Sequence, residues 1–333
     1  MDFDFKPRLR HCTLIKTENS DSLTIVVGTD YFSVETTPEN YKKLLALKSM
    51  FDGRRTIGEI ANIQNLTINE VLEVVTQFKE MKLLSNSSQP SNYISGRDFI
   101  EQISATSTMW ARQIGYHRLF TKLSSGTTTR AVAIGLFIES FHYVGSAARH
   151  ISTAIAHASD PRAQKILARY LSEEHDHSHI FKQALMKIGV PNEHLATAHP
   201  TIGTISLTNM LCEIGRHSSL AYIACTSLFE ARAADADQAE TEFRAICELY
   251  EIPKESADLF ITHFRADISA GHTSLLSEYV RDTDEIPTTV AHEAVNYMHD
   301  LKHSFDQYHD HILAYYEDIS NYIPRPKVDY FCL

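Results

Sequence analysis

The chain has 333 residues, 43% hydrophobic and 22% charged, the balance of a globular protein long enough for two domains. Its formal net charge of −11 argues against nucleic acid as a partner, because neutralising phosphates takes a basic surface. The five cysteines are odd in number and lack CxxC spacing, no apolar run approaches membrane-spanning length, and MDFDFKPRLR has no apolar signal core, so reduced thiols, no membrane and a cytoplasmic location are expected.

Residues 1–85 read as a small α+β unit. LTIVVG (Leu23–Gly28) and YFSVETT (Tyr31–Thr37) are β-rich runs split by Thr29-Asp30, the pattern of a hairpin. Thr37 can cap the helix that follows, with Pro38 in its first turn and Gly53 at its end. Thr56 and Glu59 form a Thr-x-x-Glu capping box at the start of a short helix. From Leu66 to Leu84 a third helix is predicted, with Val71, Leu72, Val75, Phe78 and Leu83 on one apolar stripe. A small sheet with three helices is a winged-helix-like pattern.

The run KKLLALKSMFDGRRTIGEIA (42–61), with MKLL (81–84) ending the next helix, resembles the PqqD-like peptide-recognition domains of ribosomal-peptide modification systems. The resemblance implies that a leader peptide is held as an added strand, between an edge strand and a helix. A winged helix used only for packing or dimerisation is the alternative. Residues 86–96, rich in Ser, Asn, Pro and Gly, read as a linker.

Residues 97–333 read as helix after helix, an all-α bundle with no convincing strand. Ala131–Ala158 is a long, mostly apolar segment, Asp160-Pro161 opens the helix that ends LSEEHDHSHIF, and Leu207–Arg232 is again apolar. Two further helical segments, Gln238–Tyr250 and Ser256–Arg281, precede a last helix over Pro287–Ile319.

Bundles build metal sites from inward-facing side chains, so acids and histidines inside apolar runs are the informative ones. Glu139 stands among Leu136, Phe137, Ile138 and Phe141, with His142 three residues on; Glu230 ends LAYIACTSLF; His263 and Asp267 lie four apart beside Phe260, Phe264 and Ile268. Buried carboxylates need partners, and two divalent ions would neutralise such a set; a hydrogen-bonded His–Asp pair is the plainer account of His263 and Asp267. In EEHDHSHIF, Glu173 or Glu174 with His177 offers an alternative ligand source, an outer shell or a polar surface. The histidines of the last helix, His292, His299, His303, His309 and His311, lie among many acids and read as a solvated face.

IESFHYVG, YLSEEHDHSHIFKQALMKIGV, SLFEARAA and FITHFRADISAGH together resemble the haem-oxygenase-like di-metal oxidases and their PqqC- and TenA-like relatives. The resemblance implies a haem-oxygenase-like helical bundle and carries the metal-ligand roles onto Glu139, His142, Glu230, His263 and Asp267. It also implies a further His three or four residues after the Asp, whereas His272 is five on and points about 140° away in a straight helix. A π-bulge near Gly271 would be needed to bring it in. The implied function is a non-haem di-iron oxidase or oxygenase, with two Fe ions (Mn as the alternative) and O2 as co-substrate, acting on a ribosomally made peptide or related natural product. Three other readings stand beside it: a cofactorless PqqC-like oxidase, a metal-free peptide-binding partner, and a homodimeric scaffold. A haem-oxygenase activity is not expected, since His117 is the one early histidine that could serve as its proximal ligand and it sits beside Arg118. Cys212 and Cys225, in apolar helices, read as inert core rather than thiaminase-like nucleophiles.

Overall fold

The computed structural model describes residues 4–10, 12–16, 22–27, 30–81, 83–86, 92–229, 236–270, 275–280 and 285–328. Two compact units meet in sequence at Asn92 and Tyr93.

The first unit contains β1 (Pro7–Leu9), β2 (Thr13–Lys16), β3 (Ser22–Val27), β4 (Asp30–Glu35), α1 (Pro38–Met50), α2 (Ile57–Gln64), α3 (Ile68–Glu80) and β5 (Leu84–Asn86). β2, β3 and β4 form an antiparallel sheet in that order, and β1 pairs with β5 in a second, two-stranded sheet. β3 alternates, so Leu23, Ile25 and Val27 enter the core while their neighbours face outward. The helices start where their caps dictate. The Thr37 side chain accepts from Asn40 N, and both Thr56/Glu59 and Thr67/Glu70 close reciprocal capping boxes. Phe51, Ile57, Ile60, Val71, Val75 and Phe78 complete this core. The third helix, Ile68–Glu80, is shorter at both ends than the predicted Leu66–Leu84. After Glu80 the chain turns, Leu83 N donates to Phe78 O at 2.8 Å, and Leu84 joins β5 instead of the helix.

The second unit runs through β6 (Tyr93–Ser95), α4 (Gly96–Gly115), α5 (Arg118–Ser124), α6 (Arg130–Gly145), α7 (Ala147–His157), α8 (Pro161–Glu174), α9 (Ser178–Ile188), α10 (Asn192–Thr197), α11 (Ile202–His217), α12 (Ser219–Phe229), α13 (Ala236–Leu249), α14 (Lys254–Ala270), α15 (Leu275–Tyr279), β7 (Glu285–Pro287) and α16 (Thr288–Tyr316). The expectation of no strands here is corrected by a short antiparallel pair, with Ile94 opposite Ile286, at the entrances of α4 and α16. Three residues per strand leave no alternation to read.

The long α16 packs against α4, α6, α11 and α12. Its approach to α11 is close because Gly203 carries no side chain: a Cβ there would lie 2.9 Å from Tyr308 Cα. The segment read as one apolar helix is two, α6 and α7, divided at Ser146. The Ser146 hydroxyl donates to Tyr143 O at 2.6 Å and competes with the helical ladder. An 18-residue window within residues 130–157 is apolar enough, by length and composition alone, to cross a membrane. Within the fold their Val132, Ala133, Phe137, Ile138, Ile151 and Ala154 lie in the core of the bundle.

Candidate metal centre

α8 ends at Glu174, a short turn follows, and α9 begins at Ser178, with His177 the residue that precedes it. The turn puts Glu174 and His177 on one side, where His177 Nδ1 lies 3.1 Å from Glu174 Oε2. α9 packs against α14, which brings in His263, its ring 4.8 Å from that of His177 and edge-on to it. One ligand atom from each of Glu174, His177 and His263 falls within 4.8 Å of the others. Two ligands of one ion, each at about 2.0–2.2 Å, stand at most about 4.4 Å apart, so a small side-chain adjustment lets the three share an ion. Two imidazoles and one carboxylate are the donor set of non-haem Fe(II), and the residues therefore fit iron.

Aromatic packing holds the histidine in place. Phe181 lies edge-on to both His263 and Phe260, at 4.8 Å in each case, and Phe260 stacks on Phe137 at 4.4 Å. Phe243 meets Phe137 and Phe260 from α13. These phenyl rings form an apolar wall on this side of the cluster, with no hydrogen-bonding group of their own.

The other sequence-derived candidates are placed differently. Glu139 is fully buried but turned toward the start of α11: Oε2 accepts from Thr201 N at 3.0 Å, from Thr201 Oγ1 at 3.2 Å and from Thr204 Oγ1, while Oε1 accepts from Tyr316 OH at 2.9 Å. Its carboxylate thus serves the Thr201 amide and the dipole at a helix N-terminus. Burial raises its pKa above the ordinary carboxylate range, against the opposing pull of the Thr204, Thr201 and Tyr316 hydrogen bonds. The Tyr316 ring reaches this point because Gly135 leaves it room; a Cβ at Gly135 would sit 2.3 Å from Tyr316 Cγ. His142, a turn further on, has a buried Nε2 with no hydrogen-bond partner among the described residues. Burial, with His199 nearby, lowers its pKa to about 4, so the ring is neutral. Neither residue belongs to the Glu174–His177–His263 group.

Glu173 stays outside the cluster as well, 3.8 Å from Arg169 on the helix surface. Asp267 lies one turn beyond His263 in α14, with its side chain outside the described residues; Glu230 and His272 lie outside them altogether. His117 has both ring nitrogens engaged, Nδ1 accepting from Leu119 N and Nε2 lying 3.0 Å from Asp310. Cys12, Cys212, Cys225 and Cys247 are buried free thiols, and burial pushes the Cys225 thiol far up. The expected solvated face of α16 is corrected at one residue. His309 is buried against His117 and Phe120, and desolvation lowers its pKa to about 3.

All three gathered side chains fall inside residues 135–301, the segment matched by the family described as "Iron-containing redox enzyme". The chain belongs to this family. The fold agrees. A domain of unknown function with a haem-oxygenase-like fold from Shewanella denitrificans OS217 superposes with a TM-score of 0.55 at 18% identity, over 67% of this chain and 96% of that one. A TenA homolog from Pseudomonas syringae pv. tomato str. DC3000 is similar with a TM-score of 0.49 at 12% identity, over 65% of this chain and 93% of that one. No curated protein sequence matches the chain. The helical unit is therefore a haem-oxygenase-like bundle, and membership of the family makes iron-dependent redox chemistry its class of activity.

Proposed function

We propose that the protein is an O2-dependent non-haem iron oxidase or oxygenase whose iron is held by Glu174, His177 and His263. The observation that carries this reading is the convergence of two imidazoles and a carboxylate within the family-matched segment. Glu230, Asp267 and His272 are the residues that would complete a second iron position. Iron bound here would activate O2, and O2 would supply the oxidising equivalents. The protein's own part is to fix the ligand geometry and to exclude water. The Glu174 carboxylate beside His177 Nδ1 orients that imidazole, and Phe181 and Phe260 back His263.

The substrate is proposed to be a ribosomally made peptide delivered by the first unit. β4 pairs only with β3 among the described residues and leaves an open sheet edge. Beside it, Val34, Thr36, Leu44, Leu47, Leu66 and Val74 line a cavity of about 340 Å3, with Lys43, Glu70 and Glu73 also on its wall. An extended peptide added to β4 would place alternate side chains over this cavity. Hydrogen exchange tests that part: a precursor peptide that binds should protect the amides of β4, and unchanged exchange would refute it.

The decisive experiment is an anaerobic Fe(II) titration followed by O2, with visible absorption recorded. Two irons per chain and a transient band support the di-iron oxidase; iron binding that survives intact in both H177A and H263A would remove these ligands from the proposal. Failure of the wild-type chain to bind iron would sink the reading as a whole.

A further inference from the structure

We propose a second metal site, for a divalent cation of the late first row such as Cu(II), at the histidine pair His299 and His303 on α16. It is independent of the iron reading. The two residues are four apart on one helix face, and their Nε2 atoms lie 3.2 Å from each other. That separation is the span of two imidazole ligands on one ion: with metal–nitrogen bonds of about 2.0–2.1 Å it corresponds to a ligand angle of about 103°, between the tetrahedral angle and the roughly 90° of neighbouring ligands in a tetragonal Cu(II) site. The rings stand at 89° to each other, so they do not crowd one another as both approach a common point.

Two neighbours prepare the pair. The Asp306 carboxylate lies 3.4 Å from His303 Nδ1, the placement of a carboxylate that holds a ligating histidine in the tautomer with its Nε2 lone pair free to donate. Asp306 is itself held by Lys302 Nζ at 2.6 Å. His299 is steadied from the other side by Trp110, whose ring centroid is 5.3 Å away. Without metal, the short contact between the two Nε2 atoms is met by a proton on His299 Nε2 shared with His303. Metal binding moves that proton to His299 Nδ1 and gives both lone pairs to the ion. His303 is half exposed, with side-chain exposure of 52%, which leaves a path for the ion and room for water in its remaining positions. Two imidazoles favour the late first-row cations, Cu(II) most strongly.

Trp110 is the one tryptophan in the chain, so it reports on this site directly. Metal-free protein is titrated with Cu(II) and followed by tryptophan emission, and the Cu(II) EPR spectrum is recorded at saturation. Saturable quenching and nitrogen hyperfine structure from two imidazoles are expected, unchanged in H263A. H299A and H303A should each weaken the binding by at least about 10-fold, the loss that even an outer-shell partner can cause. His303 is exposed and His299 partly so, and circular dichroism checks that the variants fold. Quenching that persists with wild-type affinity in H299A and H303A, or an EPR spectrum without two nitrogen ligands, would overturn the site.

Discussion

Glu139 and His263 are both histidine-or-acid residues set in apolar runs, yet their surroundings assign them opposite duties. Glu139 is enclosed by four donors; the Thr201 and Thr204 hydroxyls lie 3.2 Å apart and can turn to each other, but Thr201 N and Tyr316 OH have the carboxylate as their acceptor. Glu139→Ala should therefore strand buried N–H and O–H groups, each costing about 1–3 kcal/mol, and lower stability by roughly 3 kcal/mol or more in urea unfolding. Iron bound per folded chain should not change. His263→Ala should show the reverse: loss of iron with a smaller loss of stability. A Glu139→Ala protein that folds with wild-type stability but binds no iron would return Glu139 to the metal.

Helix ends and helix crossings carry the next level of the argument. The capping boxes at α2 and α3 each satisfy two orphan donors, so Thr56→Ala and Thr67→Ala should cost about 1 kcal/mol apiece, measurable as additive shifts of the urea midpoint of the first unit. In α6 the determining residue is Gly135. A methyl group there meets the Tyr316 ring well inside contact distance, and Gly135→Ala should destabilise the helical unit by about 1–3 kcal/mol while pushing Tyr316 off Glu139. If Gly135→Ala unfolds at the wild-type urea midpoint, this account of the α6–α16 crossing fails.

Across the whole molecule, buried neutral histidines should govern the response to acid. His150 is fully enclosed and paired with Tyr222 OH at 2.6 Å, and desolvation lowers its pKa to about 3; His309 behaves alike. The unfolded chain takes up these protons near the ordinary histidine value of about 6.5, which the folded chain resists. Their contribution is complete above that pH and is lost as pH falls from there toward 3. Each histidine should remove about 1.4 kcal/mol per pH unit over that interval. Urea unfolding of the helical unit at pH 7.5 and at pH 5 measures the slope, and equal stabilities would refute it. The first unit has its own core, built without a buried histidine among its described residues, and should show a weaker dependence of this origin.

Helical class, the Thr56/Glu59 capping box and the β3–β4 pairing were legible from residue order, because each rests on a local period or a short-range hydrogen bond, whereas the haem-oxygenase-like character came from the resemblance of four stretches to a known family. Thr56 must find Glu59 three residues away whatever the rest of the chain does. Which acid meets His177 and His263 was not legible in that way. Glu139 sits in a run of Leu, Ile and Phe and reads as the buried ligand; Glu174 sits in EEHDHSH, where an alternative ligand, an outer shell and a polar surface all stay open. Both are buried, and the difference lies in what closes over them. The start of α11 meets Glu139, while the turn between α8 and α9 presents Glu174 and His177 to α14 and His263. Local hydrophobicity determines that a side chain is buried; only the packing of helices distant in sequence determines whose company it keeps, because the partners of a buried charge come from other helices.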